Sequence, residues 1–292
     1  MTRIDARMRA GLCLSVELWP PRTPEATERL EHSLERLSTL DLAFASITYG
    51  AAGSTRERTH ELVVRLQQGG RLTPMAHLTC AAHRRADLVE ILSRYRAAGV
   101  ENVLALRGDP PVGASAPLPA GELIHARELV ELAREVGDFC VAVAAHPAIH
   151  PEATSRADDL DHLAAKLALA DFAVTQFFFR VEDYLALVEA LNRRGVDKPV
   201  VPGVMPITSA TTLQRMEQLA GAPVPSSLAA AVERCGDDAD AVRALGVDVA
   251  TELCQKLLAE GAPGLHFYTM NQTRATIAVC AALGLAGGGG GD

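Results

Sequence analysis

The chain has 292 residues, 48% of them hydrophobic, which is enough to bury a large core in one α/β domain or two small ones. Its formal net charge is −8 and it has no long basic run, which argues against a nucleic-acid-binding protein. No apolar stretch approaches the roughly 20 residues that span a bilayer, and the first residues lack the apolar segment of a secretory signal. We therefore expect a cytoplasmic protein that acts on a small molecule, with no nucleic-acid or membrane partner. The sequence leaves open whether the protein forms a homo-oligomer.

The cysteines and histidines do not show the spacing of a metal site. The six cysteines are scattered without a C-x-x-C pair, which favours structural thiols in a reducing compartment. His146 and His150 are four residues apart, but Pro147 and Pro151 argue against the helix that would bring them to one face. No third ligand follows at a useful spacing, so the sequence predicts no metal site.

Eight short apolar runs recur along the chain, with amphipathic segments between them. The runs suit strands that are buried on both faces, and they cover residues 14–18, 44–48, 73–78, 102–106, 140–145, 172–178, 199–204 and 264–269. The other segments predict helices at 24–40, 56–68, 85–98, 122–136, 158–170, 181–193, 208–219, 226–235, 240–260 and 272–283. Two of these helices, 226–235 and 240–260, are additional ones that lengthen the seventh unit.

Eight βα repeats in a chain of this length predict an α/β fold of the (βα)8 TIM-barrel type, as a single domain over residues 1–285. The alternative, a doubly wound sheet, would carry a glycine-rich phosphate turn after its first strand, where this chain has Trp19, Pro20 and Pro21. Residues 286–292 are almost all glycine, and we expect them to form a disordered tail.

Polar side chains follow most of the predicted strands. In a TIM barrel the C-terminal ends of the strands meet at one face, where the active site lies. The side chains at these ends are Glu17, Thr48, Tyr49, His77, Arg107, Asp109, His146, His150, Gln176, Tyr268 and Asn271. Because seven of the eight strands contribute to this set, we interpret the face as an active site.

Three charged residues near this face are candidates for chemistry or binding. Glu17 lies in an apolar strand, and burial without a cation raises a carboxyl pKa toward the range of a general acid; an ion pair with Arg107 is the alternative. Asp109 precedes two prolines, so a simple turn aspartate is the alternative to a catalytic role. Lys166, on the helix after the fifth strand, can pair with a phosphate or be a solvated surface lysine.

Seven short motifs, in order along almost the whole chain, resemble those of the methylenetetrahydrofolate reductase family. They are the segments 16–23 (VELWPPRT), 46–51 (SITYGA), 76–79 (AHLT), 105–109 (ALRGD), 144–153 (AAHPAIHPEA), 175–179 (TQFFF) and 266–271 (HFYTMN). Each motif is short, and the signal lies in their common order across the barrel units.

The resemblance implies a barrel that binds FAD and reduces 5,10-methylenetetrahydrofolate to 5-methyltetrahydrofolate, with NADH or NADPH and the folate stacking on the flavin in turn. It implies that Glu17 is the general acid and that Asp109 contacts the pterin beside the flavin. It further implies that Gln176 contacts folate or nicotinamide and that Thr48 contacts the nicotinamide. The implied flavin contacts are Tyr49, Ala51, His77, Arg107, Gly108, Asp109, Ala126, His146, His150, Ala153, Asp159 and Lys166.

Some positions depart from the family's pattern. Gln272 stands where an arginine commonly meets the acidic tail of the folate, and Arg274 is the nearest substitute for that substrate contact. Position 146 is often a larger aromatic residue than the histidine found here. The helix after the seventh strand often carries Gln and Phe, where this chain has Thr212 and Met216. These changes bear on folate affinity and on the fit of the flavin.

Three alternatives stay open. NAD(P)H could pass its hydride straight to the folate without a flavin. The protein could be another flavin-dependent barrel oxidoreductase, similar to proline dehydrogenase. A barrel that binds flavin or folate without catalysis is the third. The sequence does not choose between NADH and NADPH, since no side chain that reads the ribose or its phosphate stands out.

Overall fold

The structure, a computed structural model, describes residues 3–50, 55–108, 121–150, 153–220 and 224–286. Eight parallel strands form a closed barrel in chain order, which confirms the predicted (βα)8 TIM barrel. The strands are β1 (Cys13–Leu18), β2 (Phe44–Ile47), β3 (Pro74–Thr79), β4 (Asn102–Leu106), β5 (Cys140–Ala145), β6 (Phe172–Phe177), β7 (Val200–Val204) and β8 (Gly264–Tyr268).

Helices surround the barrel, and three of them lie between β7 and β8. The described helices are α1 (Ile4–Ala10), α2 (Pro24–Leu37), α3 (Arg56–Gly69), α4 (Arg85–Ala97), α5 (Ala126–Val136), α6 (Arg156–Leu169), α7 (Val181–Asn192), α8 (Ala210–Ala220), α9 (Ser226–Cys235), α10 (Ala239–Ala259) and α11 (Arg274–Ala282). Among them, none combines the length and hydropathy that crossing a bilayer requires. Ala286, at the start of the predicted tail, forms an isolated β-bridge with Leu40; the rest of that tail lies outside the described residues.

Capping side chains decide where several helices begin. The Thr23 hydroxyl accepts the Ala26 N–H at 3.2 Å, and Pro24 opens α2 as the sequence predicts. Helix α5 begins at residue 126, four residues later than predicted, because the Glu128 carboxylate accepts the N–H groups of residues 124 and 125 and ends the preceding loop there. Helix α6 begins at residue 156, two residues earlier than predicted, because Ser155 caps it.

Helix α1 precedes the barrel and was not predicted. Ile4 is fully buried in the cluster that fills the barrel interior, together with Phe44 and Met75. The Ile4 N–H donates to the Asn102 side chain at 2.9 Å, at the N-terminal end of β4. Helix α1 therefore covers the N-terminal opening of the barrel, opposite the face where the strands end.

The barrel interior changes from apolar to polar along the strands. Side chains two residues apart point to the same face of a strand, so each strand contributes a short inward-facing series. The members nearest the N-terminal ends of the strands include Cys13, Phe44, Met75 and Phe172, which pack together. The members that follow toward the C-terminal ends are Ser15, Glu17, Ser46, His77, His266 and Tyr268. The fold therefore gathers polar groups at the face where a TIM barrel carries its active site.

Candidate active site

Glu17 is the inward-facing residue near the end of β1. It is paired in register with Ser46 on β2 and with Tyr268 on β8, and 14% of its side chain is exposed. Its Oε1 accepts the indole N–H of Trp19 at 3.2 Å. Its Oε2 lies 3.9 Å from Nε2 of His77, which is too long for a direct hydrogen bond. Two nitrogen atoms therefore flank the two oxygens of one carboxyl group.

Burial sets the protonation states around Glu17. Desolvation raises the pKa of Glu17 to about 7, against the opposing effect of the Trp19 hydrogen bond. Desolvation lowers the pKa of His77 to about 3 and raises that of Tyr268 well above its ordinary value. His77 and Tyr268 are therefore neutral near pH 7, where Glu17 exchanges its proton. A carboxyl group that titrates near neutral pH can serve as a general acid.

The raised pKa of Glu17 predicts a stability that depends on pH. Between pH 4.5, the ordinary pKa of a glutamate, and about pH 7, the folded protein holds a proton on Glu17 that the unfolded chain releases. The contribution of Glu17 to the free energy of unfolding is therefore complete below pH 4.5 and is lost as the pH rises through 7. Glu17→Gln is neutral at every pH. We expect urea unfolding to give similar free energies of unfolding for both proteins at pH 4, and a gain of up to about 3 kcal/mol for the variant at pH 8.5.

Equal free-energy differences at both pH values would contradict a buried, proton-binding Glu17. The measurement does not depend on turnover or on any bound cofactor, so it tests the electrostatics of the site by itself.

A neutral polar layer lies directly below Glu17. His266 is fully enclosed: Nδ1 lies 2.8 Å from the Ser15 hydroxyl and Nε2 lies 3.3 Å from the Ser46 hydroxyl. Its ring stacks on Phe44 at a centroid distance of 5.7 Å and meets Tyr268 edge-on at 5.2 Å. Burial lowers the pKa of His266 to about 3. This layer supplies rigid hydrogen bonds beneath the site without adding a charge.

A second group of predicted residues lies on the loop between β5 and α6 and on α6 itself. The rings of His146 and His150 meet edge-on at 4.8 Å. Lys166 Nζ donates to the Ala144 carbonyl at 2.8 Å. Asp159 accepts the His150 N–H at 3.1 Å. Burial lowers the pKa of Lys166 to about 8, with Asp159 opposing, and lowers that of His146 to about 4, with His150 and Lys166 adding to the effect. The loop is therefore built around half-buried basic groups.

Arg156 also shapes this loop, and sequence reasoning missed it. Its guanidinium donates to the carbonyls of His146 at 3.2 Å and Pro147 at 2.7 Å, and it lies 3.4 Å from Asp159. The position two residues before the predicted helix start gave no signal, because the helix begins earlier than expected. The described residues contain no cluster of three or more side chains suited to a metal ion.

The other predicted contacts occupy several places around the strand ends. Tyr49 is buried in the core outside the barrel interior, with Oη 3.2 Å from His83 Nε2. The Thr48 N–H donates to the Leu18 carbonyl at 3.0 Å, and the Gln176 amide oxygen accepts the N–H of the next residue at 3.1 Å.

The remaining predicted contacts are either near these loops or outside the described part of the chain. Ala126 is the first residue of α5, and the Ala153 N–H donates to the His150 carbonyl at 2.9 Å. The Arg107 carbonyl accepts the Ala81 N–H at 2.8 Å, and Gly108 has a φ of +97°. The residues predicted as contacts that fall outside the described ranges are Ala51 and Asp109.

Comparison with known proteins decides the family. A family model described as methylenetetrahydrofolate reductase matches residues 3–284. The chain belongs to this family. The 5,10-methylenetetrahydrofolate reductase of Pectobacterium carotovorum subsp. carotovorum is 36% identical over 281 residues, which are 96% of this chain and 93% of the relative. Membership supports the reduction of methylenetetrahydrofolate and makes the chain an oxidoreductase of folate one-carbon chemistry.

Other comparisons extend this picture. Methylenetetrahydrofolate reductase (NADH) 1 of Arabidopsis thaliana is 37% identical over 284 residues, which are 93% of this chain and 48% of the relative. The solved structure of an uncharacterized protein from Clostridium thermocellum, described as binding two copies of 5-methyl-5,6,7,8-tetrahydrofolic acid, matches with a TM-score of 0.68. It covers 97% of each chain at 17% identity, so this likeness shows the fold alone.

In this methylenetetrahydrofolate reductase barrel, a cleft beside β8 distinguishes the two residues predicted to contact the folate tail, because only one of them lines it. Gln272 is exposed and lines the cleft together with Tyr268 and Thr212. Arg274 is the first residue of α11, is exposed, and is not among the lining residues. Met216 is buried in the cluster under α8 and also stays out of this cleft. The cleft lining among the described residues is polar and apolar but uncharged.

Proposed function

We propose that the protein reduces 5,10-methylenetetrahydrofolate to 5-methyltetrahydrofolate with electrons from NADH or NADPH, through bound FAD. The observation that carries the proposal is the buried carboxyl of Glu17 at the end of β1, whose pKa is raised to about 7 in a barrel of this family. Opening the folate's five-membered ring requires a proton on the departing nitrogen, and the carbon left behind becomes a cationic iminium. Glu17 can supply that proton at neutral pH.

Two features of the described residues fit a bound dinucleotide. Nε2 of His77 is buried at the strand ends and has no hydrogen-bond partner within the described residues, which suits a group that meets a ligand. The loop between β5 and α6 offers the imidazoles of His146 and His150, and α6 offers the ammonium of Lys166; such donors suit phosphate oxygens. Bound FAD would supply the hydride chemistry there.

The roles of the protein's own residues follow from their positions. Glu17 would hold the transferable proton. His77, neutral beside it, would contact the cofactor or the proton. Gln176 and Thr48 would orient the folate and the nicotinamide at the C-terminal ends of the strands. Asp109, outside the described residues, would stabilise the iminium cation with its negative charge.

An absorbance spectrum and an oxidation assay on the purified protein test the proposal. We expect a flavin band in the visible range, and NAD(P)H oxidation that requires methylenetetrahydrofolate. Folate-dependent oxidation without a flavin band would favour direct hydride transfer from the nicotinamide. A flavin band with no folate-dependent oxidation would contradict the proposed substrate.

Gln272→Arg should lower the KM for the folate several-fold. The folate tail carries carboxylates, and a guanidinium binds a carboxylate through two charge-assisted hydrogen bonds, which a neutral amide does not offer. Since the tail is remote from the reacting atoms, kcat should change little, and the gain should shrink as salt rises. Steady-state kinetics at two ionic strengths measure both effects. An unchanged KM, with a sharply raised KM for Arg274→Ala, would make Arg274 the tail contact instead.

A further inference from the structure

We propose that Trp19 is a positioning residue for the catalytic acid: its indole N–H occupies Oε1 of Glu17, so that the transferable proton is carried on Oε2, the oxygen that faces His77. The inference rests on the proposed role of Glu17 and assigns the geometry that role requires. The sequence motif and the family comparison give Trp19 no function of its own.

The backbone of Trp19 is held in place from the far end of the chain. Asn271 accepts the Trp19 N–H through Oδ1 at 2.9 Å and donates from Nδ2 to the Trp19 carbonyl at 2.9 Å. This pair of hydrogen bonds uses both sides of one amide group, and it fixes the position of residue 19 relative to the turn after β8. Trp19 is 37% exposed, so these backbone bonds, rather than burial, hold the residue beside Glu17.

Asn271 is itself fixed by its surroundings. Its N–H donates to the Thr269 hydroxyl at 3.1 Å, and that hydroxyl donates to the Glu17 carbonyl at 2.7 Å. Its carbonyl accepts the Ser33 hydroxyl at 2.9 Å. Met270 and Asn271 both have positive φ, of 49° and 58°, a conformation that costs free energy for residues other than glycine and that the surrounding bonds maintain. The strained turn thus orients Trp19, and Trp19 orients Glu17.

The indole determines which carboxyl oxygen carries the proton. An indole N–H can only donate, and the carbonyl oxygen of a protonated carboxyl accepts more strongly than its hydroxyl oxygen, so the contact favours Oε1 as the accepting oxygen in both protonation states of Glu17. Oε2 is then the oxygen that carries the hydrogen, and His77 Nε2 lies 3.9 Å from it. His77 Nε2 has no other partner among the described residues, and its ring is neutral. It can therefore accept a hydrogen bond from the Oε2–H group of protonated Glu17 once the two side chains approach by about 1 Å.

The groups around Glu17 leave one titration near neutral pH. From β3, His77 is neutral above about pH 3, and His266, below it on β8, behaves alike. Tyr268, also on β8, stays protonated well beyond pH 10. Asp109 follows β4 outside the described residues. Among the described groups that face the carboxyl, Glu17 alone therefore changes charge between pH 5 and 9.

Trp19 is the single tryptophan of the chain, so its emission reports this contact directly. We expect the emission of the purified wild-type protein to titrate with a midpoint near pH 7, and this titration to be lost in Glu17→Gln at the same flavin content. The same midpoint in Glu17→Gln would overturn the proposal. Loss of the emission titration together with a normal folate rate in Glu17→Gln would instead keep the contact and remove Glu17 from catalysis.

The variant Trp19→Phe gives a kinetic test. Removing the donor to Oε1 destabilises the carboxylate, so Glu17 should keep its proton to higher pH. In the pH–rate profile of folate reduction, the fall in rate on the alkaline side should therefore move up by about one pH unit. Asn271→Ala should shift the tryptophan emission maximum from its wild-type position and should also move the alkaline fall in rate to higher pH. The control Asn192→Ala, at an exposed position, should change neither the emission maximum nor the pH–rate profile. If the alkaline fall in rate stays in place in Trp19→Phe and Asn271→Ala, Trp19 has no positioning role.

Discussion

Glu17→Gln should leave flavin reduction by NAD(P)H nearly unchanged and slow methylenetetrahydrofolate reduction by about 10²–10⁴-fold, the usual value of general acid catalysis. The amide keeps the size of the carboxyl and can still accept the Trp19 N–H, but it has no acidic proton. The first half-reaction transfers hydride without needing this proton, so the two half-reactions should separate. Rapid mixing of each half-reaction, followed through the flavin absorbance, measures both rates.

A surface carboxylate provides the matched control. Glu61→Gln makes the same chemical change at an exposed position on α3 and should alter neither half-reaction. If Glu17→Gln retains most of the wild-type rate with folate, the proton comes from elsewhere. If it slows both half-reactions equally, Glu17 serves binding or structure and not the transfer of a proton.

Gly203→Ala should destabilise the protein by about 3 kcal/mol or more, because an added methyl group has no space in the barrel. Its Cβ would lie 2.2 Å from the Thr175 carbonyl oxygen and 2.6 Å from the Tyr268 ring. That carbonyl also accepts the Tyr268 hydroxyl at 2.7 Å, so the ring cannot turn aside without losing a part-buried hydrogen bond. Urea unfolding measures the loss. The folate rate of the remaining folded protein should fall as well, since Tyr268 is the register partner of Glu17.

Gly69→Ala is the control for this substitution. The added Cβ there would have no neighbour within 4 Å, and Gly69 ends helix α3, where alanine is the better helix former. We expect Gly69→Ala to be neutral or slightly stabilising. Similar unfolding curves for both variants would show that β6, β7 and β8 can separate enough to accept the methyl group.

The barrel was predictable because its strands are apolar on both faces and its helices on one. Runs such as 140–145 and 264–269 carry this signal in the sequence, and the order of a parallel barrel then follows from the alternation of the elements. Helix α1 was missed because it has seven residues, too few for a helical period to stand out, and its one buried anchor is Ile4. The start of α5 was misplaced because Glu128 acts on the residues before it.

The site was predictable to the extent that position on a strand determines which face a side chain occupies. Glu17 and His77 lie on strands, so alternation places them in the barrel. Tyr49 lies just past the end of β2, where alternation no longer holds, and its ring packs outside the interior against His83. The roles of Trp19 and Asn271 depend on hydrogen bonds between residues 252 positions apart, which no local pattern encodes.

The pairing of the first strand with the last has a consequence for how the protein is made. Glu17 leaves the ribosome early, yet Trp19 is oriented by a residue 252 positions later. At roughly 5–20 residues per second, translation of that interval takes tens of seconds, during which β1 lacks its β8 neighbour. A nascent chain that stops before residue 264 should therefore expose the edge of β1 that later pairs with β8, together with Glu17, and chaperones should bind this edge. Catalytic competence should appear only after β8 and the turn that carries Asn271 have been made and packed, in one late step rather than gradually.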